Sequence, residues 1–158
     1  MILRAVKKKD NPQLARLLRT VLIEMGVPKT GTAYEDPELD AMYEAYQQPK
    51  SSYFVIEVMG EIIGGAGIAP LQKGPSSVCE LQKMYFGPKA RGRGWGAQMM
   101  AHCLDFARQH GFLQCYIETM PNMRAAQKLY NKTGFQYLEG PMGDTGHCNC
   151  SVWMLKNL

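Results

Sequence analysis

The chain has 158 residues, a length typical of one domain, and we expect a single domain over residues 1–158. Hydrophobic residues make up 46% and charged residues 20% of the sequence, which is typical of a folded protein with a sizeable core. A net charge of +4, spread over scattered basic residues, does not favour a nucleic-acid partner, and no apolar run is long enough to predict a membrane partner.

The first half of the chain predicts a strand, two helices and a hairpin. Apolar alternation predicts strands, and apolar residues at helical spacing behind capping residues predict helices. In chain order these are a strand over 2–6, a helix over 10–26, a helix over 36–48, and a hairpin with strands over 52–59 and 61–69. We expect Asp10 and Asp36 to cap the two helices, since a carboxylate accepts hydrogen bonds from the N–H groups of a first turn.

The second half of the chain predicts strands that alternate with helices. In chain order these are a strand over 78–86, a helix that ends at 110, a strand over 112–118, a helix over 122–132, and strands over 135–138 and 148–155. Gly134 is expected to close the shorter helix. This order predicts an α+β fold around one mixed sheet, with a parallel crossover after residue 86.

A strand, a loop rich in glycine and arginine, and a helix form the most informative segment. The loop reads Arg91-Gly92-Arg93-Gly94-Trp95-Gly96, and the helix begins within it. The first N–H groups of a helix lack intrahelical partners and lie at the positive end of its dipole, so the segment predicts a phosphate-binding site. The glycine spacing matches neither a Walker loop nor a dinucleotide fingerprint in an opening βαβ unit.

Two motifs in this half of the chain resemble the signatures of one family. Residues 91–96 match the Arg/Gln-x-x-Gly-x-Gly/Ala signature of the GNAT acyltransferase superfamily, and residues 122–135 are similar to its second signature, Asn…Ala…Leu-Tyr…Gly-Phe. The resemblance covers essentially the whole chain and is most specific over 78–138. It implies the GNAT fold, an α+β fold whose mixed, mostly antiparallel sheet of about seven strands is flanked by about four helices and splays apart at the cofactor site.

The resemblance also implies acetyl-coenzyme A (acetyl-CoA) as the cosubstrate. The N–H groups of the glycine loop would bind its pyrophosphate, while the edge of the preceding strand and Asn122 would bind its pantetheine arm. The residues implied are Met84, Tyr85, Phe86, Arg91, Gly92, Arg93, Gly94, Trp95, Gly96, Ala97 and Asn122. Five basic residues are candidates for binding the adenosine phosphate, and the sequence does not choose among them: Lys89, Arg91, Arg93, Arg124 and Lys128.

Acetyl transfer from a thioester to an amine requires a neutral amine, stabilisation of an oxyanion and a proton for the departing thiolate. Tyr130 is the predicted acid, because a phenol with a usual pKa of about 10 stays protonated at neutral pH and the resemblance implies a tyrosine here. Glu80 is the predicted base, at the start of the strand that leads into the loop. Strand alternation would place Glu80 on the same face as Met84 and Phe86, unless a bulge intervenes.

The acceptor pocket is predicted less directly than the cofactor site. By the resemblance, it lies over the first two helices and the last hairpin. Tyr34 could line it or simply pack against its neighbours. His147 follows a glycine-rich loop and could act there as a base or substrate ligand, or could form a purely structural hydrogen bond.

The segment His147-Cys148-Asn149-Cys150 could be interpreted as a metal site. A lone Cys-x-Cys would place both thiols on one face of the predicted C-terminal strand, and no second pair completes a tetrahedral set, so no metal is predicted. The odd number of cysteines, five, and the absence of a signal-like N-terminus favour a reducing, cytoplasmic location. If the C-terminal strand is exposed, it could pair with a second copy to form a homodimer.

These patterns together predict an N-acetyltransferase. It would transfer the acetyl group of acetyl-CoA to a primary amine by direct attack in a ternary complex, and the amine could belong to a small molecule or a protein. Two alternatives stay open, namely acyl transfer to a hydroxyl acceptor and a CoA-binding sensor or module without turnover. Pocket shape sets specificity in such folds, so the sequence does not identify the acceptor.

Overall fold

The computed structural model describes residues 1–158, which form seven strands and four helices. The strands are β1 (Ile2–Ala5), β2 (Ser52–Val58), β3 (Glu61–Pro70), β4 (Val78–Phe86), β5 (Gln114–Thr119), β6 (Gln136–Leu138) and β7 (Val152–Asn157). The helices are α1 (Asn11–Glu24), α2 (Met42–Ala45), α3 (Trp95–Gln109) and α4 (Arg124–Thr133). None of the helices combines the length and the apolar character that crossing a bilayer requires.

All seven strands belong to one sheet in the order β1-β2-β3-β4-β5-β7-β6. Strands β4 and β5 are parallel, and every other neighbouring pair is antiparallel. The β4–β5 pairing covers only Val78–Glu80 against Gln114–Tyr116, and beyond it the two strands separate. The predicted mixed, mostly antiparallel sheet that splays beside the glycine loop is therefore confirmed.

Apolar side chains fill both faces of the sheet. On one face α3 and α4 contribute to a core of 19 buried residues, and on the other α1 and α2 contribute to a core of 12. The predicted apolar stripe of α3 is confirmed, and all its members are buried: Met99, Met100, Cys103, Leu104 and Ala107. Gly134 has a φ of 100° at the C-terminus of α4, which favours glycine and confirms the predicted end of that helix.

A bulge in β4 decides which of its side chains share a face. Gly65 pairs with Tyr85 and Gly67 with Gln82, so β4 has one extra residue in this interval. Lys83 lies in the bulge with a φ of 48°. The bulge reverses the alternation: residues 84 and 86 pack on the α3 face, whereas Tyr85 packs on the α1 face. Residues 84 and 86 therefore do not share a face with residue 80, because the bulge expected as the exception to simple alternation is present.

The helix predicted over 36–48 is also wrong as a continuous helix. A 3-10 turn, Pro37–Asp40, is followed by the short α2, and Ala41 between them has φ −139° and ψ 47°, which is not helical. The carboxylate of Asp36 forms no capping hydrogen bond. It forms an ion pair with Lys83 at 2.9 Å instead, and this long-range contact takes the place of the expected helix cap.

Asp10 likewise does not cap α1 with its side chain. Its carboxylate is buried and pairs with Arg4 of β1 at 2.7 Å, and it also accepts a 2.7 Å hydrogen bond from the N–H of Lys7. The guanidinium of Arg4 also pairs with Glu57 of β2 at 2.6 Å. This cluster ties the start of α1 to the edge of the sheet.

The C-terminal strand begins later than its predicted start at residue 148. Strand β7 starts at Val152, so Cys148 and Cys150 lie in the preceding loop and not on one face of a strand. The same strand lies between β5 and β6 in the sheet. It is therefore not the exposed edge on which the idea of a homodimer rested.

Candidate active site

The loop between β4 and α3 presents a row of free backbone donors. The N–H groups from Gly92 to Ala97 form no hydrogen bond within the chain, and Gln98 is the first to donate back, to the carbonyl of Gly94 at 3.3 Å. Gly92 and Gly94 have φ values of 70° and 74°, a conformation that is strained for other residues. Six neighbouring donors at a helix N-terminus can bind an anionic group.

Arg91 contributes less to this row than the sequence suggested. Its N–H donates to the carbonyl of Pro88 at 3.3 Å and is not free. Its guanidinium pairs with both carboxylate oxygens of Glu24, at 2.5 and 2.9 Å. This ion pair connects the start of the loop to the end of α1. The charge of Arg91 is thus already balanced by Glu24, and its main contribution is to hold the loop in place.

The other basic residues around the loop differ in whether their side chains already form ion pairs or aromatic contacts within the protein. Lys89 pairs with a carboxylate of β3 at 2.6 Å, and the guanidinium of Arg93 lies 5.2 Å from the ring centre of Trp95. Arg124 and Lys128 are exposed on α4 and form no ion pair. Because no carboxylate balances their charges, these two side chains are available to bind an additional phosphate.

A cavity of about 430 Å³ opens where β4 and β5 separate. Its walls come from β4, the glycine loop, the segment after β5 and Tyr130 of α4. Eight of the eleven predicted cofactor residues line it: Met84, Tyr85, Phe86, Arg91, Gly92, Gly94, Gly96 and Asn122. The side chains of Arg93, Trp95 and Ala97 lie outside this lining.

Tyr130 lies in the wall of this first cavity. It is buried, its hydroxyl forms no hydrogen bond within the chain, and its ring packs against Phe135 with 6.0 Å between ring centres. Burial raises the pKa of Tyr130 above its usual value, so the phenol stays protonated at neutral pH. Elsewhere in the cavity wall, the amide of Asn122 donates to the carbonyl of Met25 at 2.8 Å and ties the end of α1 to the segment before α4.

Glu80 is a buried carboxylate in the wall of the cavity. Its side chain accepts a 2.6 Å hydrogen bond from Gln82, whose own carbonyl accepts one of 2.6 Å from the hydroxyl of Tyr46. Burial raises the pKa of Glu80, the bond from Gln82 opposes the shift and the charge of Glu118 adds to it, so the pKa lies at about 7. A carboxyl group in this state can exchange a proton at neutral pH.

Lys83 and His147 meet on the carboxylate of Asp36. The Nζ of Lys83 is 2.9 Å from Asp36 and 3.0 Å from Glu38, and the Nε2 of His147 is 3.0 Å from Asp36. Burial alone would lower the pKa of both Lys83 and His147. The hydrogen bonds to Asp36 and its charge, joined by Glu38 in the case of Lys83, outweigh burial and raise both pKa values. His147 is therefore stabilised as a cation.

A second, polar cavity of about 700 Å³ lies on the other side of these residues. Asp36, Glu38, Tyr46 and Gln48 contribute to its walls. Four residues line both cavities: Glu80, Gln82, Lys83 and His147. Tyr34 lines neither and packs on the α1 core with Lys29 over its ring, so the structure does not bring it to the predicted pocket.

Comparison with known proteins identifies the family. Residues 19–135 match the family model described as the acetyltransferase (GNAT) family. The chain belongs to the GNAT family. It is therefore an acyltransferase, and the GNAT acetyltransferase fold expected from its two motifs is confirmed.

Similar proteins agree with this assignment. An uncharacterized N-acetyltransferase of Escherichia coli K12, YjgM, is 42% identical over 158 residues, which cover 99% of this GNAT chain and 95% of that protein. A GNAT acetyltransferase structure from Staphylococcus aureus Mu50 matches with a TM-score of 0.86 at 15% identity, over 99% of this chain and 98% of that one. The structure of the PaiA N-acetyltransferase of Thermoplasma acidophilum, solved in complex with coenzyme A, matches with a TM-score of 0.77 at 14% identity. The match covers 99% of this chain and 98% of that one.

Several residues of this GNAT acetyltransferase site were missed by the sequence analysis. Lys83 follows an apolar strand pattern, and only the bulge brings its ammonium into the polar cavity. Asp36 was interpreted as a helix cap, although its partners lie in β4 and in the loop after β6. Neither partner is near in the sequence, so no local signal could have found them.

Proposed function

We propose that this protein transfers the acetyl group of acetyl-CoA to a primary amine by direct attack in a ternary complex. The main support is that the cavity beside the glycine loop and the polar second cavity share Glu80, Gln82, Lys83 and His147. Two reactants bound in the two cavities would meet at these residues, and holding both in one cleft lowers the entropic cost of reaction.

The first cavity fits the cosubstrate in charge and shape. The free N–H groups from Gly92 to Ala97 would hold the pyrophosphate, with Arg124 or Lys128 available for the adenosine phosphate. The separated edge of β4 from Met84 to Phe86 would pair with the pantetheine amides as an added strand. When bound there, acetyl-CoA supplies an activated acetyl group.

Glu80 and Tyr130 would supply the proton transfers. Glu80, with a pKa of about 7, would accept the proton of the acceptor ammonium, directly or through water. Tyr130 would donate its phenolic proton to the departing thiolate, since burial keeps the phenol protonated. A backbone N–H of Met84 or Tyr85 would stabilise the developing oxyanion.

The second cavity would hold the acceptor amine. Asp36, Glu38 and Glu80 bring carboxylates to its walls, and Lys83 and His147 bring two cationic groups. Carboxylates attract an ammonium group, while the cationic groups suit an acceptor that also carries an acidic or polar substituent. His147 would act here as a binding group and not as the base, because Asp36 stabilises its protonated form.

Bisubstrate kinetics with a panel of small amines and peptides would test this proposal. Release of CoA thiol is measured while acetyl-CoA and amine are varied together, and intersecting reciprocal plots are expected. Parallel plots would contradict direct attack. Binding of acetyl-CoA with no thiol release on any amine would favour the sensor, and a hydroxylamine-sensitive ester product would favour a hydroxyl acceptor.

A further inference from the structure

Three side chains with metal-binding atoms converge in the wall of the first cavity. Glu118 is the penultimate residue of β5, and His147 and Cys150 belong to the loop before β7. One ligand atom of each lies within 4.8 Å of the others, and all three side chains are half-buried. The sequence motif supplied only the histidine and the thiol, whereas the fold brings the carboxylate from a distant strand.

We propose that Glu118, His147 and Cys150 form a binding site for a zinc ion, and that the bound ion inhibits the enzyme. A carboxylate, an imidazole and a thiolate are the three ligand types that Zn²⁺ takes from proteins. Three protein ligands leave a fourth tetrahedral position for water or another donor. Burial raises the pKa of Cys150 to about 12, so its thiol would lose a proton on binding the ion, and the two anionic ligands would then balance the charge of the ion.

The proposed ligands are already oriented by second partners, as is usual at metal sites. The Nε2 of His147 lies 3.0 Å from Asp36, which leaves Nδ1 for a metal once the ion displaces the proton that Asp36 helps to stabilise on the ring. The two carboxylate oxygens of Glu118 accept hydrogen bonds from the hydroxyls of Tyr116 at 2.7 Å and Thr145 at 2.5 Å. The proposed acetyl transfer assigns no role to these two hydroxyl contacts.

The site needs only a small closure to bind the ion. Zinc bonds of about 2.0 Å to nitrogen and oxygen and about 2.3 Å to sulfur place tetrahedral ligand atoms roughly 3.3–3.5 Å apart. Two ligand atoms separated by 4.8 Å would therefore have to approach each other by about 1.3–1.5 Å. The loop over residues 139–151 contains no helix or strand and can supply this movement. The nearby charge of Lys83 is offset by Asp36 and Glu38, to which it is paired.

Inhibition would follow from the position of the site. Its three residues line the same cavity as Glu80 and Tyr130, and His147 also lines the second cavity. A bound ion would hold His147 and narrow the space in which the two reactants must meet. This inhibition rests on the proposed function, whereas the binding of zinc does not.

Cobalt spectroscopy tests the binding independently of activity. Chelator-treated protein is titrated with Co²⁺, and one equivalent is expected to produce a thiolate-to-cobalt charge-transfer band that one equivalent of Zn²⁺ abolishes. In a parallel assay, one equivalent of Zn²⁺ is expected to reduce acetyl transfer at least tenfold, with recovery on adding chelator. Absence of the band would overturn the site, and a band without loss of activity would overturn the inhibition.

Matched cysteine variants identify the thiolate. Cys150→Ser is expected to lose the band, whereas Cys148→Ser should retain it, because Cys148 is exposed and packs against Gly31 outside the cluster. The opposite pattern, or a band that survives in Cys150→Ser, would overturn the proposal. Asp36→Asn should bind Co²⁺ about tenfold more weakly, as expected for a residue that orients a ligand. Thermal unfolding of each variant confirms that it is folded before the titration.

Discussion

Gln82 donates a 2.6 Å hydrogen bond to the carboxylate of Glu80, two residues earlier on the same face of β4. The opposite end of the Gln82 amide is fixed by the hydroxyl of Tyr46, also at 2.6 Å. Glu80 is only 3% exposed, so burial raises its pKa to about 7 in spite of the hydrogen bond. The same burial that costs folding free energy thus gives the carboxylate the proton affinity of a base suited to neutral pH.

The pH dependence of the reaction should report this carboxylate. We expect kcat/KM to rise with pH through about 7, because only the ionised form of Glu80 can accept a proton. Glu80→Gln should lower kcat about 100-fold and remove this limb of the profile. Glu139→Gln, an exposed residue without an ion pair, is the control and should keep the parent profile. A Glu80→Gln enzyme that retains the limb would exclude Glu80 as the base.

Glu80 should also make the stability of the fold depend on pH, but stability should fall as pH rises, whereas activity should increase. The folded-state pKa of about 7 exceeds the ordinary value of 4.5, so the folded protein binds this proton more tightly than the unfolded chain. The contribution of Glu80 to stability is therefore most favourable below pH 4.5 and is lost as pH rises through 7. At pH 8, Glu80→Gln should stabilise the protein by up to about 3 kcal/mol relative to its effect at pH 4.5. Urea unfolding of both proteins at the two pH values measures this difference, and equal effects would contradict it.

Tyr130→Phe should separate chemistry from packing. The hydroxyl of Tyr130 forms no hydrogen bond within the chain, so its removal should leave the melting temperature nearly unchanged. Loss of the proton donor should lower kcat about 100-fold with little change in the KM for acetyl-CoA. Tyr137→Phe removes the hydroxyl of an exposed tyrosine that lines neither cavity and serves as the control. If both variants turn over like the parent, Tyr130 is not the acid.

Two glycines with similar backbone angles can test the phosphate loop. Gly94 in the loop has a φ of 74° and Gly111 after α3 has a φ of 81°, and an added Cβ would meet no atom within 4 Å at either site. Each substitution by alanine should therefore cost about 1 kcal/mol of stability through backbone strain. Only Gly94→Ala should also weaken CoA binding, roughly tenfold, since its Cβ and any backbone shift disturb the N–H donors. Calorimetric titration with CoA checks this, and equal affinities in the two variants would contradict the role of the loop.

Local signals in the sequence predicted the elements that local physics controls. The strand over 78–86, the apolar stripe of α3 and the glycine that ends α4 follow from side-chain periodicity and backbone conformation. The helix over 36–48 failed because the carboxylate of Asp36 satisfies a buried lysine from a distant strand instead of capping a first turn. Of the two alternatives for Tyr34, lining the pocket or packing, the structure shows packing, because its ring lies against the α1 core.

The sequence by itself determined the family, the glycine loop and the identity of two candidate proton-transfer residues. Motifs and side-chain periodicity are local properties of a continuous segment, so they can be recognised without the fold. Only the tertiary structure decided how these residues are used. The bulge at Lys83 turns Tyr85 toward the α1 face, and the separation of β4 from β5 opens the first cavity. The pKa of Glu80 and the convergence of Glu118 with the loop before β7 depend on burial and distance in space. Such properties arise from side chains remote in the sequence, which no local pattern encodes.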